Sequence, residues 1–274
     1  MRLGAHLRTP GGLRTAIDAA RTVGAEVVQL FLSNPRAWAG PRIETSERFG
    51  AEWREAGVGP LYVHAPYLVN IASPNPEVHE KSLELVARSV AACEAAGVAG
   101  FVVHAGAGGP GDRAEARGRA TTILRSALGL ARNTRLLVEL MAGTSGAVAS
   151  TLPEARALFE TVGDERLGLC LDTCHLFAAG YALDDAGGVG ACFDEIHELG
   201  LGERLALIHL NDAKHARGSH RDRHERIGEG AIGVEGFGAI LHRREVRDLD
   251  LVLETPADLE QRAGELATLR TLAG

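Results

Sequence analysis

The chain has 274 residues, 45% of them hydrophobic, and a net charge of −7. That length allows one or two domains. No apolar run approaches the length of a membrane span, and the opening MRLGAHLRTPGG lacks the apolar stretch of a signal peptide, so a cytoplasmic protein is expected. The acidic balance weighs against nucleic acid as a partner, unless bound cations concentrate positive charge at one site.

Apolar runs and helical-period segments alternate along the chain. The pattern predicts a strand at Leu3–His6, then a helix over Leu13–Val23; a strand at Val27–Phe31, then a helix near Glu44–Ala56. Leu61–His64 precedes a long helix near Glu77–Ala96, and Phe101–His104 precedes one near Ala114–Ala131. Leu136–Leu140 precedes Pro153–Thr161, where Pro153 suits a first helical turn. Leu169–Asp172 precedes a helix near Gly190–Leu199, and Leu205–Leu210 precedes a polar loop and a short helix near Val234–Leu241. Leu251–Glu254 precedes the last helix, near Leu259–Leu272.

These are eight βα units. Such alternation implies parallel strands with helical crossovers, and eight units in a chain of this length fit an α/β fold of one domain, residues 1–274, closed as a (β/α)₈ barrel. An open doubly wound sheet would usually show a glycine-rich phosphate fingerprint after an early strand. The one glycine-rich stretch, Gly106–Gly111, follows the fourth strand, fits neither phosphate spacing and reads as a flexible loop.

Besides Leu3–His6, six of the runs carry an acid or an imidazole at or beside their end: His64, His104, Glu139, Asp172, His209 and Glu254. His175 follows Asp172 closely, and Asp222 and His224 lie on the loop after the seventh strand. Isolated buried carboxylates and imidazoles are unfavourable. A barrel gathers all strand ends on one face, so these nine residues would share one bowl at the C-terminal face of the strands. Any one strand-end histidine reads best as structural, but nine such residues together point to a metal site. Imidazole with carboxylate suits Zn²⁺, with Mn²⁺ or Fe as substitutes. One catalytic zinc takes about three protein ligands, so this many implies two or three metals. Clustered metals suit phosphoester hydrolysis, since they activate water, bind phosphate and stabilise the leaving oxygen. A sugar isomerase or epimerase on a related barrel is the alternative and needs fewer ligands. Cys93, Cys170, Cys174 and Cys192 form no CxxC pair and read as buried thiols, although Cys170 and Cys174 flank Asp172.

The segments LDTCHLFAAGY (Leu171–Tyr181), HLNDAK (His209–Lys214) and DRHERIGEGAIG (Asp222–Gly233) resemble the endonuclease IV family of apurinic/apyrimidinic endonucleases. GAHLRTPGGL near the start and LVLETP near the end match it too, so the resemblance covers essentially the whole chain. It implies a trinuclear zinc centre that hydrolyses the phosphodiester 5′ to an abasic site in duplex DNA, leaving a 3′-hydroxyl and a 5′-deoxyribose phosphate. By motif, His64, His104 and Glu139 would hold one metal; Glu139 would bridge to a second held by Asp172, His209 and Glu254; His175, Asp222 and His224 would hold the third. Glu139 and Glu254 would be catalytic, positioning the attacking water. The resemblance also suggests a monomer, and loops that wedge into the minor groove, with Arg36, Tyr67 and Leu68 as the DNA contacts. Packing over the barrel is the other reading of Tyr67 and Leu68, and Trp38 reads as a packing residue. Lys214 and Arg223 suit phosphate contact or plain surface equally. His6, at the end of the first strand, would sit behind the ligands or touch substrate; His79, His197 and His242 read as surface residues on helices. The chain departs from the family after Glu139, where Leu140–Met141 replaces a usual Asn-Thr and Thr144–Ser145 stands where glutamine is common. Hydrogen bonding behind the bridging ligand is therefore expected to change.

Overall fold

The computed structural model describes all residues, Met1–Gly274. Its eight parallel barrel strands are β1 (Arg2–His6), β2 (Val27–Leu30), β3 (Leu61–His64), β4 (Gly100–His104), β5 (Arg135–Glu139), β6 (Gly168–Asp172), β7 (Leu205–His209) and β10 (Asp250–Leu253). They pair in chain order, and β1 closes the circle by pairing with both β2 and β10. The outer helices are α1 (Thr15–Val23), α2 (Ile43–Ala56), α3 (Pro76–Ala96), α4 (Arg113–Leu130), α5 (Leu152–Val162), α7 (Ala186–Glu198), α8 (Gly233–Leu241) and α9 (Leu259–Ala273). The (β/α)₈ barrel expected from the alternation is the fold observed. No helix is long and apolar enough to cross a membrane.

Two elements were not foreseen, both in what the sequence suggested was loop. A short helix, α6 (Thr173–Ala179), begins where β6 ends, and a two-rung antiparallel ribbon pairs β8 (Asp212–Ala213) with β9 (His224–Glu225). Local chemistry fixes the helix starts. Asn75 and Asp112 cap α3 and α4, and Thr151 with Glu154 and Asp258 with Gln261 form reciprocal capping boxes on α5 and α9. The glycine-rich segment is also better held than expected. Asn70 accepts from the Ala107 amide at 2.9 Å and donates to its carbonyl at 2.8 Å, and Gly108 donates to the Gly146 carbonyl.

The hydrophobic core has two parts. The larger lies between strands and helices. The smaller fills the barrel lumen with Val27, Tyr62, Val102, Leu137, Cys170, Leu207 and Val252. Below this layer Tyr62 donates to Asp250 at 2.8 Å and Arg2 pairs with the same carboxylate at 2.6 Å, closing the N-terminal end with a satisfied charge.

Candidate metal centre

Side chains on one face of a strand recur every second residue. Two residues beyond the lumen layer, the same inward face presents Gln29 after Val27, His64 after Tyr62, His104 after Val102, Glu139 after Leu137, Asp172 after Cys170, His209 after Leu207 and Glu254 after Val252. His6 stands likewise above Gly4 on β1. Every barrel strand thus sends one polar side chain to a single ring at the C-terminal mouth, the face on which (β/α)₈ barrels carry their active sites.

The ring and two neighbouring segments form three donor sets, in each of which the candidate ligand atoms lie within 4.8 Å of one another: His64, His104 and Glu139; Glu139, Asp172, His209 and Glu254; and His175, Asp222 and His224. Glu139 belongs to two sets because its oxygens face different ways. Oε2 lies 2.9 Å from His64 Nε2 and 3.5 Å from His104 Nε2, while Oε1 lies 3.3 Å from His209 Nδ1 and 3.3 Å from His175 Nδ1. In the third set Asp222 Oδ1 is 3.3 Å from His175 Nε2 and 3.5 Å from His224 Nε2. All nine strand-end and loop candidates are therefore brought together.

The surroundings orient these groups. His64 donates from Nδ1 to the Ala65 carbonyl at 2.7 Å and His175 from Nδ1 to the Leu140 carbonyl at 2.8 Å, which turns Nε2 of each toward the cluster. At Leu140 the group that holds His175 is a backbone carbonyl, which a change of side chain leaves in place. Asp172 ends β6 and caps α6, accepting the His175 amide on Oδ1 at 2.9 Å, while Asn211 donates to its Oδ2 at 2.6 Å. The loop carrying Asp222 docks on the free carbonyl end of α6, with Gly218 and His220 donating to Phe177 and Ala178, each at 3.0 Å. Asp212, fully buried, accepts from the amides of Gly228, Gly230 and Ile232 at 2.9, 3.1 and 2.9 Å and staples the segment that follows His224.

Four buried atoms here find no hydrogen-bond partner: Glu139 Oε1, His175 Nε2, His209 Nδ1 and His224 Nε2. A folded protein rarely leaves such atoms unpaired, and these four lie in the second and third donor sets and aim into them, so the residues fit bound cations. Electrostatics agree. Burial opposes ionisation of Glu139, but His104 and His209 hold it well below the usual carboxylate range. Burial likewise opposes ionisation of Asp222, and His175 carries it down to about 2. Two further groupings include a cysteine, Cys170 with Glu139 and His209 and Cys174 with Asp172 and His224. All four cysteines are free and buried, and burial pushes the thiols of Cys170 and Cys174 up to about 12, which makes them poorer donors than the ionised carboxylates beside them.

Arg36, Tyr67 and Leu68 occupy the loops after β2 and β3, on the rim of the same mouth. Tyr67 is 61% exposed, which disfavours the packing reading, and its ring meets Phe31 edge-on at 5.0 Å while Phe31 meets His64 at 5.7 Å. Trp38 packs against the core under Lys81, as expected. His6 lies behind Glu254, with Nδ1 3.0 Å from Oε1. Lys214 pairs with Glu225 across the ribbon at 3.6 Å. His79 is half-buried and reaches the Arg119 carbonyl at 3.2 Å, bridging α3 to α4 instead of lying on the surface; His197 and His242 are exposed. Sequence reasoning missed Gln29 and Asn211, both fully buried among the candidate ligands. Their signal was available: a polar residue at the inward position of an apolar run, in VVQLF, and directly after one, in LIHLND.

Residues 17–272 match the family described as a xylose isomerase-like TIM barrel, which agrees with the closed βα barrel and its strand-end donor ring. Within it, a probable endonuclease 4 of Sulfurihydrogenibium sp. (strain YO3AOP1) is 38% identical over 275 residues, covering 98% of each chain. The crystal structure of endonuclease IV from Thermus thermophilus is 31% identical, with a TM-score of 0.85 over 99% of this chain and 98% of that one. The chain belongs to the endonuclease IV family. Its likeness to a D-psicose 3-epimerase of Clostridium cellulolyticum, at 13% identity and a TM-score of 0.71 over 100% and 98% of the two chains, is a likeness of fold alone.

Proposed function

We propose that this protein is a metal-dependent DNA-repair endonuclease that hydrolyses the phosphodiester 5′ to an abasic site in duplex DNA, leaving a 3′-hydroxyl and a 5′-deoxyribose phosphate. The observation that carries the reading is the trio of donor sets sharing Glu139, in a chain 38% identical along its length to a probable endonuclease 4. His64, His104 and Glu139 would hold one zinc, Glu139, Asp172, His209 and Glu254 a second, and His175, Asp222 and His224 a third, with Mn²⁺ or Fe able to replace zinc. Bound there, the ions would activate water and neutralise the phosphate and the leaving oxygen. The protein's own share is positional. Glu139 and Glu254, ionised and facing the same space, would position the attacking water. Arg36, Tyr67 and Leu68 on the rim enter the duplex at the lesion, where a missing base makes extrusion of the nucleotide easy. The reading takes residues 1–274 as one domain acting as a cytoplasmic monomer. The net charge of −7 is no obstacle, because three divalent ions offset most of it at the DNA-facing mouth.

The test is incision of a duplex carrying one abasic site. Metal-loaded protein should cut 5′ to the lesion and leave a 3′-hydroxyl, and chelator should abolish the cut. Absence of incision by protein of confirmed metal content overturns the proposal. A ketose epimerase would account for the barrel and the strand-end ring but leaves His175, Asp222 and His224 without work; turnover of a ketose without incision would favour it.

A further inference from the structure

One member of the ring at the barrel mouth is neither acid nor base. Gln29, on β2, is fully buried. Its Oε1 lies 3.0 Å from His209 Nε2, and its Nε2 lies 2.6 Å from Glu254 Oε1 and 3.0 Å from His6 Nδ1. The orientation of the amide follows from its neighbours. A carboxylate only accepts, so the amide nitrogen must face Glu254, and the amide oxygen is left facing His209. His209 therefore donates from Nε2 and turns Nδ1 into the cluster, 3.2 Å from Glu254 Oε2 and 3.3 Å from Glu139 Oε1. His64 and His175 are held the opposite way, donating from Nδ1 to backbone carbonyls and presenting Nε2.

We propose that Gln29 is the positioning residue of the middle donor set: one amide fixes His209 as the Nδ1 donor and turns the Glu254 carboxylate inward. Backbone carbonyls do this work for His64 and His175 and survive any substitution; at His209 it rests on one side chain. Of the set's other two carboxylates, Asp172 has its own holder in Asn211 and Glu139 is shared with the first set. Loss of Gln29 should then weaken one metal site and spare the other two. The inference rests on the metal assignment above.

The full-length chain is loaded with zinc, and its affinities are read by competition with a chromophoric chelator. Wild-type protein should hold about three zinc ions. In Gln29→Met, of similar length and without hydrogen-bonding groups, one ion should bind about 10–100-fold more weakly and two as before. Gln29→Glu keeps an acceptor for His209 but sets a carboxylate against Glu254, and should also weaken one ion. Nitrogen-15 spectra of the loaded wild type should show His209 coordinated through Nδ1 and His64 and His175 through Nε2. Three unchanged affinities in folded Gln29→Met, or Nε2 coordination of His209 in wild type, overturn the assignment of Gln29; the wild-type spectrum decides alone if the variants do not fold. Wild-type protein with three zinc ions and His209 on Nδ1 but no incision would sink only the endonuclease proposal. Wild-type protein that binds no zinc would sink both.

Discussion

Glu254 touches more of the centre than one metal set requires. Its Oε1 meets Gln29 and His6, its Oε2 faces His209, its amide donates to Asn211 at 2.7 Å and its carbonyl lies 3.3 Å from His224 Nδ1. Glu254→Gln keeps the size and the backbone contacts and removes only the charge and one acceptor. Its fold and most of its metal should persist while incision falls by about 10²–10⁴-fold, the range a positioned acid or base supplies. Near-normal turnover, with metal content confirmed, would remove Glu254 from the chemistry. Tyr67 rests on Phe31 with most of its surface free. Tyr67→Ala should therefore spare stability and metal and raise KM for abasic duplex; unchanged KM and unchanged preference over intact DNA would return Tyr67 to packing. The candidate ligands could be read from the sequence because an acid or imidazole ending an apolar run is conspicuous. Gln29 and Asn211 escaped because an uncharged amide carries no such warning. Continuing the strand period across β2 would have exposed Gln29, since it follows Val27 by the same two residues that separate Glu139 from Leu137.

At the level of elements, the third donor set depends on short segments with no hydrophobic period. α6 has seven residues and is buried on nearly all sides, so it shows no amphipathic period, and the β8–β9 ribbon has two rungs. Both were read as loop for that reason, whereas the longer α3 and α4 were placed within a residue or two. What holds the ribbon is polar. Asp212 gathers three or more backbone amides beyond His224, and Gly230 approaches so closely that a Cβ there would lie 2.5 Å from Asp212 Oδ1 and 2.6 Å from the Ala213 carbonyl. Asp212→Asn turns one acceptor into a donor facing other donors and should lower stability by about 1–3 kcal/mol. Gly230→Ala should do the same by forcing the staple open, at a similar cost of about 1–3 kcal/mol. Hydrogen exchange locates the effect: the amides of Gly228, Gly230 and Ile232 should lose protection in both variants while barrel amides keep it. Uniform loss across the barrel would show that Asp212 supports the fold as a whole and not this segment.

For the molecule as a whole, the candidate centre should make the pH dependence of stability differ between metal-free and metal-loaded protein. Without metal, the imidazoles of His175 and His209 are pushed down by burial but raised well above their usual range by their neighbours, Asp172, Asp222 and Glu139 for His175 and Cys170, then Glu254 and Glu139, for His209; His104 is raised in the same way by Glu139. A group whose folded pKa exceeds its unfolded value contributes stability that is complete below about pH 6.5 and lost as pH climbs through the folded value. The carboxylates do not oppose this above pH 6, because Asp222, lowered to about 2, contributes fully above the ordinary carboxylate range and loses its share only in acid. Metal-free protein should therefore lose stability between pH 6 and 9, by up to about 1.4 kcal/mol per pH unit for each imidazole still holding its proton. Bound metal requires deprotonated imidazoles and releases those protons, so the loaded protein should instead gain stability, or hold level, over the same interval. Tm measured from pH 6 to 9 with excess zinc and with chelator should give two curves that diverge as pH rises, by about 2–4 °C for each kcal/mol in a chain of this size. Parallel curves would mean that the strand-end imidazoles do not carry the protons exchanged for metal, and that the unpaired atoms of Glu139, His175, His209 and His224 are satisfied by something else.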